Sequence, residues 1–175
     1  MGVVETFETD RLRARRVRPE DLDDLLCLHT SAGTMAALGG PVWNGDETRA
    51  FLGRLIDHWD SHGYGVWTMR EKADGRFLGH AGLRRKMVEG LVETEFRCIV
   101  RPESWGRGVA TETARAVVGL SFRRLAVPTL VAFAPPAARP LRRVFEKTGF
   151  AHERDVIHAG RLHALYRQRR PGGVE

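Results

Sequence analysis

The sequence predicts one α/β (α+β) domain with a mixed, mostly antiparallel central sheet and helices on both faces. Three observations carry this prediction. Segments in the middle of the chain alternate apolar and polar residues between short turns, which is typical of an antiparallel meander. Segments before and after the meander have the apolar spacing of amphipathic helices. A strand, helix, strand unit follows, and such a unit adds a parallel connection and so makes the sheet mixed.

Length and composition fit a single folded domain. The chain has 175 residues, of which 42% are hydrophobic and 29% are charged. We assign the domain to residues 1–170 and a flexible tail to residues 171–175. No apolar run is long enough to span a membrane, and residues 1–12 lack the pattern of a signal peptide. We therefore expect a cytoplasmic protein without a membrane partner.

The first part of the chain predicts one strand and two helices. Residues 11–17 alternate imperfectly as a strand, and Pro19 then opens a helix. The chain breaks at residues 39–41, which are Gly-Gly-Pro. A second helix begins near Asp46 and ends at Gly63, because a glycine just after a helix is its usual terminator.

The meander and the elements after it complete the prediction. Three strands, at 64–70, 77–84 and 91–100, are joined by turns at Asp74-Gly75 and Glu89-Gly90. The later elements are a helix at 109–124, a strand at 129–133, a helix at 141–147, and strands at 151–157 and 162–167.

The segment with chemical content lies at residues 98–112. There a strand leads into Gly106-Arg107-Gly108, and this loop opens a helix. The unpaired N–H groups and the dipole at a helix N-terminus bind anions, and glycines let a phosphate approach the backbone closely. The loop lacks the third glycine of a dinucleotide fingerprint and the Gly-Lys-Ser/Thr of a Walker loop. A simple turn before a helix is the alternative.

Residues 95–113, with Trp105-Gly106-Arg107-Gly108 and Ala110-Thr111-Glu112, resemble the acetyl-CoA motif of GNAT N-acetyltransferases. The RimJ/RimL-like branch, which acetylates N-termini of ribosomal proteins, is the most similar. Residues 9–12, 65–67, 77–83 and 143–150 also resemble segments of that branch, in the same order. The resemblance implies the single-domain GNAT fold and transfer of an acetyl group from acetyl-CoA to a primary amine, either a protein N-terminus or a small molecule. It also implies a homodimer.

The resemblance assigns the donor site to two neighbouring segments. Pantetheine would pair with the strand at Cys98, Ile99 and Val100. The pyrophosphate would bind the N–H groups of the loop and first helical turn, formed by Gly106, Arg107, Gly108, Val109, Ala110 and Thr111. The amine would attack the thioester directly in a ternary complex, and a strand N–H near Ile99 would stabilise the oxyanion. No metal is needed.

Two further residues are candidates for acceptor chemistry. In the family a glutamate at the position of Glu95 can act through water as the base. Glu93 lies two residues earlier and shares its face in a regular strand, so the two carboxylates could raise one pKa. A salt-bridged strand carboxylate is the alternative for Glu95. Trp43 lies where the family places the acceptor pocket, and core packing is its alternative role.

The closing segment departs from the family. Ala138 and Leu141 stand where many relatives have Asn and Ser, and Phe145 stands where other branches have a tyrosine acid. These departures support an alternative function. The chain would then be a catalytically weak or inactive acyl-CoA-binding protein with a sensor or interaction role.

Other site types are weaker hypotheses. Cys27 and Cys98 are interpreted as buried reduced thiols, and Cys98 as a nucleophile is disfavoured because no His–Cys pairing is visible. His58 and His62 share a helix face, but no third zinc ligand is suggested. The net charge of +6 raises the possibility of a nucleic-acid-binding domain. No such motif is present, so we expect no specific nucleic-acid partner and interpret each arginine by default as solvated.

Overall fold

The structure is a computed structural model that describes residues 3–158 and 160–172. Its centre is an eight-stranded sheet with the order β1-β2-β3-β4-β5-β6-β8-β7. The strands are β1 Thr6–Glu8, β2 Leu12–Arg16, β3 Val66–Glu71, β4 Phe77–Val88, β5 Leu91–Val100, β6 Thr129–Ala134, β7 Ala151–His158 and β8 Arg161–Arg169. Every neighbouring pair is antiparallel except β5 and β6, so the prediction of a mixed, mostly antiparallel sheet is confirmed.

Five α-helices pack on this sheet. They are α1 Leu22–His29, α2 Ala32–Ala37, α3 Gly45–His62, α4 Val109–Arg123 and α5 Arg139–Lys147. Local sequence explains the bounds of α3. Asn44 and Glu47 form a reciprocal capping box at its start, and Gly63 ends it with a left-handed φ of 70°.

The helices lie on both faces of the sheet, as predicted. Phe96 of β5 packs against Phe145 of α5, with ring centroids 6.3 Å apart. The next residue, Arg97, lies over the ring of Phe51 in α3 at 5.9 Å. Because successive strand residues point to opposite faces, α3 and α5 cover opposite sides of the sheet.

The predicted element order is confirmed, with two additions. β1 has only three residues, too few to show an alternation. α2 lies between the first predicted helix and the break at residues 39–41, where the sequence predicts no element, and Ser31 caps it by accepting a hydrogen bond from the Thr34 N–H. Between α2 and α3 only residues 38–44 are irregular.

Two sequence interpretations of side-chain burial are wrong. Cys27 is exposed rather than buried, because the inner face of α1 is formed by Leu25, Leu28 and His29. The arginines are not uniformly solvated, since Arg84 and Arg97 are half-buried on the face of the sheet covered by α3.

The structure does not describe every residue at the two ends of the chain. Residues 1–2 and 173–175 lie outside the described residues, so most of the predicted tail at 171–175 does too. Within residues 3–158 and 160–172, no helix combines the length and the apolar character needed to cross a membrane.

The sheet is split in its middle. β5 and β6 pair in parallel at Glu95 and Val131. Beyond this register pair, β5 continues to Val100 and β6 to Ala134 with no further pairing between these described strands. The carboxyl ends of the two strands therefore diverge and leave one edge of β5 without a backbone partner.

Candidate active site

The glycine loop before α4 has the geometry that an anion site needs. Gly106 and Gly108 both adopt left-handed backbone conformations, with φ of 72° and 77°. Gly108 is the N-cap of α4 and supplies no side chain, so the first helical bond runs from the Glu112 N–H to the Gly108 carbonyl at 3.0 Å. The N–H groups of Val109, Ala110 and Thr111, which precede Glu112 in the first helical turn, therefore have no intrahelical partner.

The space in front of this loop is open. A Cβ placed on Gly106 would have no atom of the described residues within 4 Å, and one on Gly108 would approach only Arg11, at 3.5 Å. The loop and the free helix end thus face a volume that an anion can enter.

Two ion pairs hold the loop in place. Arg11 lies beside α4, where its Nη2 is 2.6 Å from Glu112 Oε2 and its Nη1 donates to the Arg107 carbonyl at 2.6 Å. The Arg107 side chain points to β3 and pairs with Glu71 at 2.6 Å. Arg107 therefore offers its backbone, rather than a free guanidinium, to the loop.

The free edge of β5 is formed by alternate residues. The Arg101 N–H donates to the Leu78 carbonyl, which sets the antiparallel alternation between β4 and β5. By this alternation Ile99 bonds to β4, and the amides of Cys98 and Val100 point to the split. The N–H group near Ile99 that faces the split is therefore that of Cys98 or Val100, and not that of Ile99 itself. The indole N–H of Trp105 donates to the Val100 carbonyl at 2.7 Å and covers the end of this edge.

A cavity of about 300 Å³ lies at the split. Its walls come from β4, β5 and β6, from α5, from the β7–β8 hairpin, and from the segment that follows α2. The lining residues are Met35, Leu38, Gly39, Gly40, Pro41, Trp43, Lys86, Glu95, Phe96, Arg97, Cys98, Phe133, Pro135, Leu141, Phe145, His158, Arg161 and His163.

The segment after α2 closes one side of the cavity. Gly39 has a φ of 68°, and a Cβ there would lie 2.9 Å from Cγ of Pro135, so only glycine fits against the end of β6. Trp43 lies on the cavity wall and also packs in the core, with its ring centroid 4.6 Å from His29 and 5.2 Å from Phe51. The two roles considered for Trp43 are thus compatible.

Glu95 lies on the cavity wall in an ion pair. Its Oε2 is 2.8 Å from Nη2 of Arg84 and 4.0 Å from Nζ of Lys86. Burial raises the pKa of Glu95, but the charges of Arg84, Arg97 and Lys86 outweigh burial, so the net pKa is lowered. Glu95 is therefore an ionised, weakly basic carboxylate.

Glu93 does not form the carboxylate pair that the sequence suggested. Its Oε1 pairs with Nη2 of Arg167 at 2.9 Å, while Glu95 pairs with Arg84. Each carboxylate thus has its own arginine. The expected rise in pKa does not occur at Glu95, because the cations on β4 and β5 lower its pKa.

Arg97 differs in its partners from Arg84 and Lys86, which both approach Glu95. It faces Gly82, which has no side chain, on the neighbouring strand. Among the described residues, no carboxylate lies within 4.0 Å of its guanidinium. Burial and the charge of Arg84 lower the pKa of Arg97 to about 10, so it stays protonated at neutral pH.

Lys86 and His158 form a second polar contact in the cavity, with Nζ 2.7 Å from Nε2. Burial, followed by the charge of Lys86, lowers the pKa of His158 to about 4, so the imidazole is neutral and accepts from the ammonium. Burial also lowers the pKa of Lys86.

Other candidate groups have little reactive character. Burial raises the pKa of Cys98 to about 12, so its thiol stays protonated and is a poor nucleophile. Both ring nitrogens of His58 are engaged, by the Tyr64 carbonyl and by the Arg85 N–H. Within the part of the chain that the structure describes, no group of three or more metal-ligating side chains is present.

Sequence reasoning missed the cationic residues of the cavity. Arg97 sits in an otherwise apolar half-strand, Phe96 to Val100, and that contrast was the available signal. His158, Arg161 and His163 belong to the β7–β8 hairpin, whose proximity to β5 depends on the tertiary fold.

Known protein families and structures include relatives of this chain. The model of the acetyltransferase (GNAT) domain family matches residues 11–151. The chain belongs to the GNAT acetyltransferase family. A spermidine N(1)-acetyltransferase of Escherichia coli K12 is 23% identical over 159 residues, which cover 87% of this chain and 81% of that protein.

Solved structures of GNAT enzymes share the whole fold. An acetyltransferase from Agrobacterium tumefaciens C58 has a TM-score of 0.83 and 23% identity, with 95% of each chain covered. AAC(6')-Ib, in complex with paromomycin and acetyl-CoA, has a TM-score of 0.75 and 17% identity, with 92% of this chain and 94% of that chain covered. Ribosomal-protein acetyltransferases from Vibrio species are also similar in fold, at only 13% and 14% identity. The family is therefore established, whereas the RimJ/RimL-like branch is not.

Proposed function

We propose that this GNAT protein is an acetyl-CoA-dependent N-acetyltransferase that moves the acetyl group to a primary amine by direct attack in a ternary complex. The observation that carries the proposal is the pairing of two features at one end of β5. The start of α4 follows two glycines and has no side-chain cap, which suits a pyrophosphate. The free edge of β5 next to it suits the amides of a pantetheine arm. The relatives named for acetylation of spermidine and for a complex with paromomycin support an amine as acceptor.

The residues of the loop fit acetyl-CoA. Open space at Gly106 and Gly108 admits a phosphate against the backbone, and the amides from Gly106 to Thr111 would hold it. Cys98 and Val100 would pair with the arm, and Trp105 would have to share or release the Val100 carbonyl. When bound, acetyl-CoA supplies an activated acyl group as a thioester.

The cavity would position the amine and keep it neutral. The amine nitrogen forms a bond to the acetyl carbon, the carbon–sulfur bond breaks, and the proton lost from nitrogen ends on the thiol of coenzyme A. Only a neutral amine can attack. The positive charges of Arg84, Lys86 and Arg97, opposed by one carboxylate, lower the pKa of a nearby ammonium, which then releases its proton to water.

Backbone and side-chain groups of β5 would share the remaining roles. The N–H of Cys98 or Val100 points to the split and would stabilise the oxyanion. Glu95 stays the candidate proton acceptor through water, because it is the only carboxylate among the described residues of the cavity wall. Its lowered pKa makes it a modest base, so most of the rate would come from positioning.

A second candidate function follows from the closing helix. Ala138 gives α5 no side-chain cap, and Leu141 and Phe145 make the adjoining cavity wall apolar. The usual polar contacts and the tyrosine acid are absent from these positions. A protein that binds acyl-CoA but transfers the acyl group slowly or not at all, and acts as a sensor, is the alternative to the enzyme.

The test is a calorimetric titration of the protein with acetyl-CoA, followed by an assay of thiol release with a panel of amines. Gly108→Glu places a carboxylate in the anion site and should abolish binding. Gly90→Glu is the matched control, because Gly90 also has a left-handed φ, of 84°, and open surroundings, but lies in the β4–β5 turn. Binding without turnover on any amine would favour the sensor, and no binding to the folded parent protein would overturn both functions.

Two properties of the enzyme are part of the same proposal. We infer that it works in the cytoplasm, which is consistent with cysteines that are free rather than disulfide-bonded. We also infer a homodimer, for which the exposed apolar side chains Met87, Leu91 and Val92 at the β4–β5 turn offer a surface. Light scattering of the purified protein measures the oligomeric state.

A further inference from the structure

The charges of the cavity are unbalanced. Its walls carry Lys86, Arg97 and Arg161, and Arg84 adjoins them through its ion pair with Glu95. Among the described residues that line the cavity, Glu95 is the only one with a carboxylate. A cavity with this excess of cations favours an anionic ligand and repels a second positive charge.

Two of the other cations, Arg84 and Lys86, already have partners. Arg84 binds Glu95 at 2.8 Å, and Lys86 lies 2.7 Å from His158 and 4.0 Å from Glu95. Arg97 has no carboxylate within 4.0 Å among the described residues, and it lies opposite Gly82. Its planar guanidinium, supported by the face of Phe51 at 5.9 Å, is therefore preorganised for an incoming group.

We propose that the acceptor is a small primary amine that also carries a carboxylate, and that Arg97 binds this carboxylate in the cavity. A guanidinium matches a carboxylate with two parallel hydrogen bonds, which fixes the orientation of the ligand as well as its position. The inference rests on the proposed N-acetyltransferase function and names the substrate class for it.

The size of the cavity limits the acceptor to small molecules. Its volume of about 300 Å³ is at the lower end for ligand pockets, and part of it must hold the end of the donor. Gly39 against Pro135 closes one side, so an extended chain has little room there. An amino acid of ordinary size fits these limits, whereas a polyamine would bring further positive charges against Arg97 and Lys86.

The binding mode also serves the chemistry. Arg97 would hold one end of the acceptor, so the amine at the other end is placed beside the split where the thioester would lie. The amine nitrogen would then gain the acetyl group as the carbon–sulfur bond breaks, lose one proton to the departing thiolate, and leave the carboxylate unchanged. The remaining cations still oppose protonation of the amine.

The test compares three amines of equal length that differ at the far end. These are 4-aminobutyrate, 1-aminobutane and 1,4-diaminobutane, which end in a carboxylate, a methyl group and an ammonium. With acetyl-CoA as donor, we expect kcat/KM to be at least tenfold higher for 4-aminobutyrate than for 1-aminobutane, and lowest for 1,4-diaminobutane. Equal values, or preference for the diamine, would overturn the inference and leave the acetyltransferase function intact.

Two variants connect any preference to Arg97. Arg97→Met keeps the contact with Phe51 and removes the charge, so the ratio of kcat/KM between 4-aminobutyrate and 1-aminobutane should fall to near one. Arg85→Met is the matched control, because Arg85 is an exposed arginine of β4 outside the cavity lining, and it should keep the parent ratio. A parent ratio in Arg97→Met would assign the carboxylate to another group. Unfolding midpoints of both variants show whether they are folded.

A binding measurement separates the two proposals. Calorimetric titration with butyrate, which has no amine and cannot be acetylated, reports carboxylate binding without turnover. We expect butyrate to bind the parent protein and to lose at least tenfold in affinity in Arg97→Met. Acetyl-CoA binding with no transfer to any amine would defeat the proposed activity, while butyrate binding would still decide whether Arg97 holds a carboxylate. Absence of butyrate binding to the parent would count against that role.

Discussion

Arg11, the residue just before β2, pairs with Glu112 in the first turn of α4, with Nη2 and Oε2 2.6 Å apart. The same guanidinium donates to the Arg107 carbonyl at 2.6 Å, and Thr9 donates to Glu112 at 2.5 Å. One arginine thus fixes both the helix start and the loop before it. The proposed phosphate site is therefore shaped by a residue more than ninety positions away in sequence.

Removing the Arg11 side chain should weaken donor binding. In Arg11→Ala the glycine loop loses its tie to the segment before β2, and we expect acetyl-CoA to bind about five- to tenfold less tightly, or about 1 to 1.4 kcal/mol. Calorimetric titration measures the change. Arg13→Ala is the control, because Arg13 lies two residues later, in β2, and pairs with exposed Glu8. Equal affinity of the two variants for acetyl-CoA would show that the contacts of Arg11 do not position the loop.

Replacing Glu95 should affect stability more than chemistry. Glu95→Gln removes the carboxylate that faces Arg84 and Lys86, so we expect a loss of about 2 to 3 kcal/mol in the free energy of unfolding. Because the folded pKa is lowered, the carboxylate stabilises the parent above its unfolded pKa, and this stability is lost as pH falls through the folded pKa. Urea unfolding at pH 7 and at lower pH measures both effects.

The same variant tests the proton acceptor. We expect kcat to fall by less than about tenfold, since a carboxylate of lowered pKa is a weak base. The rate of the parent should keep rising with pH as the amine itself deprotonates. A fall of several hundredfold, with loss of the acidic limb of the pH profile, would instead make Glu95 the principal base.

Gly39 should tolerate no side chain. Gly39→Ala strains a left-handed residue and places Cβ 2.9 Å from Cγ of Pro135, so we expect about 1 to 2 kcal/mol less stability and a higher KM for the amine. Gly40→Ala is a close control, because its nearest contact is Cε of Met35 at 3.7 Å and its φ is not left-handed. Unfolding and steady-state kinetics compare them. Matching behaviour of the two variants would mean that Gly39 does not close the cavity.

Two buried histidines make the fold sensitive to mild acid. His29 and His80 lie 5.7 Å apart between centroids, and neither has a hydrogen-bond partner for its ring nitrogens within the described residues. Burial, and then the charge of Arg97, lower the pKa of His29 to about 4. Between that value and the unfolded value near 6.5, the unfolded chain binds more protons, so stability falls as pH falls.

Replacing His29 should reduce this acid sensitivity. Because of His29 alone, the free energy of unfolding should fall by about 2 kcal/mol between pH 7 and pH 5. His29→Phe should therefore lose about that much less stability over the same pH range. His62→Gln is the control, because His62 is exposed on α3. Urea unfolding of the three proteins at both pH values measures the effect. An unchanged difference in His29→Phe would contradict the assignment.

Local signals in the sequence predict most of the fold. The Asn44 to Gly63 helix carries its own cap and terminator, and β3, β4 and β5 carry alternation and tight turns. β1 lacks such a signal because three residues are held only by pairing with β2. α2 was missed because its glycine and alanine residues have little amphipathic pattern.

In the candidate site, too, local features could be predicted from the sequence, whereas contacts between distant segments could not. The glycine loop before α4 is a local motif, so Gly106 and Gly108 could be proposed as site residues from their neighbours in sequence. The charge balance of the cavity depends on contacts between distant segments. Arg84 and Glu95 are eleven residues apart on two strands, and Lys86 and His158 are seventy-two apart. Spacing alone cannot show that Glu95 has an ion-pair partner whereas Arg97 has no carboxylate partner among the described residues.

The split between β5 and β6 divides the backbone scaffold into two unequal half-sheets, five strands on one side and three on the other, linked by one parallel register pair. Contacts between side chains hold the two half-sheets together instead. Phe96 of the larger half stacks near Phe150, and both approach Phe145, which covers the junction from α5. Because the pairing of β5 with β6 is limited to Glu95 and Val131, the aromatic packing around Phe145, rather than a continuous ladder of backbone hydrogen bonds, holds the two half-sheets in register.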